Sequence, residues 1–71
     1  LKDSGKILSI ADGVITVEGL TQVSAGEKVI FVSKSSNEHF FGLALNIYHS
    51  TISCVLFGNE RFLKEGDLVY R

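Results

Sequence analysis

Between Gly42 and Asn59 the chain reads GLALNIYHSTISCVLFGN, and this run restricts the fold more than any other. Leu43, Leu45 and Ile47 fall on one side of a first segment; Ile52, Cys54 and Leu56 fall on one side of a second. Apolar residues at a period of two mark strands with one buried face. Asn46 to Ser50 supplies a polar turn, and Gly58-Asn59 ends the second strand. The run therefore reads as a β-hairpin, with Leu45 and its neighbours directed into a core. A two-stranded ribbon is marginally stable at best, so the rest of the chain must complete a sheet around it.

The flanking sequence continues the same pattern. Gly5 to Ile10 and Val14 to Glu18 form two strands joined through Ala11-Asp12-Gly13. Asp-Gly favours a type I′ turn, whose two central residues need positive φ, so Gly13 is critical to the fold. Ile15 and Val17 face inward, and Leu20 and Val23 tuck beneath the sheet. After the turn Ser24-Ala25-Gly26-Glu27, a third strand spans Lys28 to Val32 with Val29 and Phe31 inward. Ser33 to His39 is polar and aperiodic, which predicts a mobile loop. Phe40-Phe41 lead into the hairpin, Phe62 and Leu63 anchor the connection after it, and a last strand runs Asp67 to Arg71. About six short strands punctuated by glycine or asparagine predict an all-β sandwich or barrel. At this length a small closed six-stranded antiparallel β-barrel is favoured, because closure removes exposed edges. Phe31, Leu45, Gly58 and Gly66 join Gly13 as its fold-critical positions.

Seventy-one residues hold one domain, spanning residues 1–71. A chain this short buries only about 60% of the surface its unfolded form exposes. One cysteine permits no internal disulfide. The barrel must be tightly packed or lean on a larger body. Lys plus Arg number 7 and Asp plus Glu 8, a net charge of −1. That balance argues against a nucleic-acid or membrane-surface binder, which needs a basic patch. No apolar run approaches the roughly 18 residues of a membrane-spanning helix. The opening LKDSGKI, with Lys2 and Asp3 as a polar lead-in, resembles neither a signal sequence nor a transit peptide.

Chemistry is sparse. No Gly-x-Ser-x-Gly elbow, phosphate-binding Gly-x-x-x-x-Gly-Lys loop or Gly-x-Gly-x-x-Gly run occurs. Cys54 lies mid-strand on the inner face, where a thiol is structural rather than nucleophilic. His39 and His49 lie on separate loops without ligand-spaced partners. Asp12, Glu27, Glu65 and Asp67 each adjoin a glycine, as turn carboxylates do. No catalytic, cofactor-binding or metal residue is expected. Phe40, Phe41 and Tyr48 are the candidate subunit-interface residues, with core packing as the alternative.

Five stretches in order resemble one family. They are GKILSIADGVITVEGL (Gly5 to Leu20), GEKVIF (Gly26 to Phe31), GLALNI (Gly42 to Ile47), VLFGN (Val55 to Asn59) and KEGDLVYR (Lys64 to Arg71). Together they resemble the small β-barrel that opens the alpha subunit of F-type ATP synthases. Gly-x-Ala-Leu-Asn and Phe-Gly-Asn are closer to that subunit than to its beta relative or to related motor ATPases. The segment 32–41 looks longer than in the family, and Tyr48-His49-Ser50-Thr51 lacks its Glu-Pro-Asp character.

The resemblance implies an assembly role. In that family alternating alpha and beta barrels form a crown that ties the hexameric head together. The expected partners are neighbouring beta-subunit barrels and other ATP synthase subunits, without nucleic acid and without membrane insertion. ATP or ADP and Mg would bind only in a downstream domain of a longer subunit, beyond Arg71, so this segment is not itself an enzyme. The implied location is peripheral, on the matrix side of the mitochondrial inner membrane or on a bacterial or plastid membrane. An OB-like barrel binding single-stranded nucleic acid and the barrel of a related hexameric motor remain as alternatives.

Overall fold

The computed structural model describes residues 3–71; Lys2 of the polar lead-in lies outside the described residues. Six strands form in chain order: β1 (Ser4–Ala11), β2 (Val14–Gly19), β3 (Lys28–Val32), β4 (His39–Ile47), β5 (Thr51–Phe57) and β6 (Leu68–Tyr70). One 3₁₀ turn, Glu60–Phe62, interrupts the last connection. The strands close into an antiparallel barrel in the order β1-β2-β5-β4-β3-β6, with β6 returning to β1. Among the described residues every strand is therefore paired on both sides. This is the closed barrel that the strand spacing predicts.

The β1–β2 hairpin turns as Asp-Gly requires, with φ of +52° at Asp12 and +79° at Gly13. A side chain at position 13 would meet no neighbour within 4 Å, so strain is the whole penalty there. Gly13→Val should lower stability by about 1–2 kcal/mol, the cost of a left-handed conformation for a residue with a Cβ. Thermal unfolding is the check, and an unchanged midpoint would mean the turn relaxes freely.

Inward positions agree with the alternation on most strands. Ile15, Val17, Val29, Phe31 and Cys54 are fully buried, and Ile52 nearly so. Ile7 and Val69 complete the interior, while Leu20, Val23 and Leu63 cover it from the connections. Strand β4 is the exception. Its buried residues are Gly42 and Ala44, whereas Leu45 and Ile47 are each 46% exposed. The expectation that Leu45 fills the core is thus corrected. The reason is steric: a Cβ at Gly42 would lie 2.8 Å from Cε2 of Phe31, so the Phe31 ring already occupies the space facing β4. Only small residues fit opposite it. A bulge between Ala44 and Asn46 then makes Leu45 the unpaired extra residue and turns it outward. Leu45→Ala should change stability by only about 0.5 kcal/mol, as at ordinary surface sites, in the same melts.

Other differences lie in the connections. The polar run after β3, expected to be a loop, forms a hydrogen-bonded turn. Ser33 N–H donates to the Glu38 carbonyl at 2.9 Å, and Asn37 N–H to the Ser33 carbonyl at 2.7 Å. Asp67, itself buried, accepts from Lys34 N–H at 3.2 Å and from Lys64 N–H at 2.9 Å. One carboxylate thereby ties two loops together, and β6 begins after it, at Leu68. His39 and the pair Phe40-Phe41 belong to β4 itself. Leu63 anchors the last connection as expected, but Phe62 is 54% exposed and stacks on Phe40 with ring centroids 6.0 Å apart.

Candidate interaction surface

Side chains that alternate inward on these strands leave a second set pointing out, and strand register decides which of those are neighbours. One outward row runs Ala11, Val14, Val55, Leu43, Lys28 across β1, β2, β5, β4 and β3. The adjacent row runs Phe57, Phe41, Ile30, Tyr70 across β5, β4, β3 and β6. Together they form a band that is apolar except for Lys28 and the Tyr70 hydroxyl. Val14, Phe41 and Phe57 are exposed in it, and Leu43, Val55, Ile30 and Tyr70 are half-buried. Further along the same strands the next outward rows are polar: Ser9, Thr16, Ser53, Asn46 and then Lys6, Glu18, Thr51. On β2 and β5 the outer surface therefore passes from apolar to polar along the strands. A contiguous exposed apolar patch is the usual mark of a contact surface.

The three aromatic candidates separate. Phe41 stands in the middle of the band, with the Lys28 ammonium 4.5 Å from its ring centroid. Phe40 points the other way and packs against the core. Tyr48 is 59% exposed at the far end of the β4–β5 hairpin, where it lines a shallow cleft of about 220 Å³ beside Gly19–Thr21. Sequence reasoning missed Val14, Val55, Leu43, Phe57, Ile30 and Tyr70 as a group. Each reads as an ordinary strand residue, and only cross-strand register brings them together.

The remaining chemical candidates are dispersed. Cys54 is buried, and loss of solvent pushes its thiol up to about 11, so it stays protonated and unreactive at neutral pH. Glu27 Oε1 accepts from Ser24 N–H and its Oε2 accepts from Arg71 Nε, each at 2.9 Å. The Ser24 N–H, and after it Arg71, hold the Glu27 carboxyl below its usual range. Glu60 Oε1 accepts from Gly13 N–H at 2.8 Å, bracing the first turn. Gly66 N–H donates to the Ile7 carbonyl at 2.8 Å, and Gly58 directly follows β5. Among the described residues no group of three or more His, Cys, Asp or Glu is placed to hold a metal ion. A groove for single-stranded nucleic acid needs a track of cations beside its aromatics; the band holds a single cation, Lys28. No helix among the described residues is long and apolar enough to cross a membrane.

Comparison with curated proteins places this surface in a context. The chain is 44% identical over 71 residues to "ATP synthase subunit alpha, mitochondrial" of Schizosaccharomyces pombe, a match over 100% of this chain. It is 45% identical over 67 residues, 94% of its length, to "ATP synthase subunit alpha, mitochondrial" of Dictyostelium citrinum. The chain spans 12% of the length of each of these relatives. No protein-family model matches it. Matched along its length to part of one subunit, and folded as the small six-stranded barrel that the resemblance implies, the chain is similar to the alpha subunits of mitochondrial ATP synthase.

Proposed function

We propose that this barrel is an assembly segment of an ATP synthase alpha subunit. In this reading it takes its place in a crown of alternating alpha and beta barrels, which holds the head together during proton-driven ATP synthesis. The observation that carries the reading is the apolar outer band, on a chain 44% identical to alpha subunits over its whole length. A barrel with its core already filled has no internal use for Val14, Phe41 and Phe57 on the outside. An obligate neighbour would remove them from water and stabilise the barrel by mass action. The segment contributes contacts and no catalytic group, and ATP or ADP with Mg binds elsewhere in the parent subunit. The location is peripheral, on the matrix side of the mitochondrial inner membrane.

The test is affinity purification of the full-length chain from detergent-solubilised membranes of its source. Recovery together with the beta subunit and other ATP synthase subunits is the expected result. Recovery free of every one of them would overturn the reading.

A further inference from the structure

Lys28 is the one charged side chain within the two apolar rows. Its ammonium has the Phe41 ring beneath it. The adjacent carboxylate, Glu27, has both oxygens engaged, by Ser24 N–H and by Arg71. Among the described residues Arg71–Glu27 is the only salt bridge. Among the described residues no carboxylate lies within 4.0 Å of the Lys28 ammonium. Covering the band would strip water from this cation, and a buried charge without a counter-charge is strongly unfavourable. An aromatic ring offsets only part of that penalty.

We propose that the outer band of β2, β5, β4 and β3 docks a different protein chain, which presents an apolar face with a carboxylate set against Lys28. This rests on the assembly reading and names the chemistry of the partner's face. A second copy fits less well. The only charge in its band is again Lys28, so pairing band to band brings cation to cation and supplies no carboxylate. A partner of complementary sign gains in registry as well, because the carboxylate fixes where along the band it settles.

The test uses the full-length chain in its purified native complex. Zero-length carbodiimide coupling, which joins an amine only to a carboxylate in contact with it, is followed by peptide mapping. In parallel, acetylation of Lys28 is compared between the complex and the dissociated subunit. The expected result is Lys28 joined to an Asp or Glu of another polypeptide, with its acetylation suppressed in the complex. Lys28→Glu and Phe41→Asp should each lower recovery of the complex about tenfold or more, and Lys28→Arg should preserve it. The coupling experiment needs no variant, so a misfolded Phe41→Asp protein does not weaken it. Coupling of Lys28 to a second copy of the same sequence overturns the choice of partner. Free acetylation of Lys28 in a complex that still holds the ATP synthase subunits overturns the docking face and leaves the assembly reading standing. Absence of those subunits overturns the assembly reading, and the coupling result then decides the docking face alone.

Discussion

Phe31→Ala is expected to cost about 3–5 kcal/mol and to leave the barrel without a stable interior. Phe31 is the largest fully buried side chain, at 0% exposure. It sits on β3 opposite Phe40 of β4 and Val69 of β6, so three strands share its ring. Gly42, whose backbone faces the ring, has no side chain with which to collapse into the void. The cavity would therefore stay open, which is the circumstance in which truncation costs most. Small domains have only a few kcal/mol in reserve. Hydrogen exchange at the amides of Val29 to Val32 and Leu68 to Tyr70 should accelerate toward the unfolded rate. Protection equal to the parent protein would show that Phe31 does not hold those strands together.

Gly42→Ala is expected to be damaging from the opposite direction. A Cβ at position 42 would collide with the Val55 carbonyl oxygen and lie 2.8 Å from Cε2 of Phe31. The second contact is a ring enclosed in the core, and the first is backbone of a paired strand. Relief requires β4 and β5 to separate where Gly42 pairs with Leu56. The cost should reach the upper part of the range of about 1–3 kcal/mol for overpacking, or exceed it. Combining Gly42→Ala with Phe31→Leu removes the ring contact and leaves the backbone one. If the double variant melts no lower than Phe31→Leu alone, the carbonyl contact is not the obstacle.

These two residues also show where sequence reading succeeds and where it stops. Asp12-Gly13 is legible because a type I′ turn depends on its own two residues. Ile15, Val17, Val29, Phe31 and Cys54 are legible because alternation on a strand is a local property. On β4 the same rule points to the wrong face, since Leu43, Leu45 and Ile47 are the larger residues there. What decides that strand is the space left by Phe31, which belongs to another strand and cannot be read from β4 alone. The hydrogen bonding of the Ser33–Glu38 turn is hidden for a similar reason. Its polarity is visible, but its anchor Asp67 lies over thirty positions away.

The interaction surface was legible only as single residues. Phe41 stands out by type, and so does Phe40, which the structure packs against the core. The band exists because Val14 lies opposite Val55, Val55 opposite Leu43, and Phe57 opposite Phe41. Those pairings depend on two hairpin turns and on the bulge at Leu45. A single-residue slip would turn each side chain to the other face. Lys28 gains its meaning only after the row is assembled, as the one cation in it.

Barrel closure also has a consequence for synthesis. The last ladder joins Ser4 to Tyr70 and Gly5 to Val69, nearly the whole segment apart. On the ribosome β1 is therefore made first and waits for its second neighbour until β6 has cleared the exit tunnel. Throughout that interval β1 and β3 each lack one hydrogen-bonding partner, and Phe31 has no Val69 beside it. Non-local pairing of this kind is slow and leaves sticky intermediates. The nascent chain is then a natural client for chaperones, and slowed translation before Leu68 would prolong its exposure.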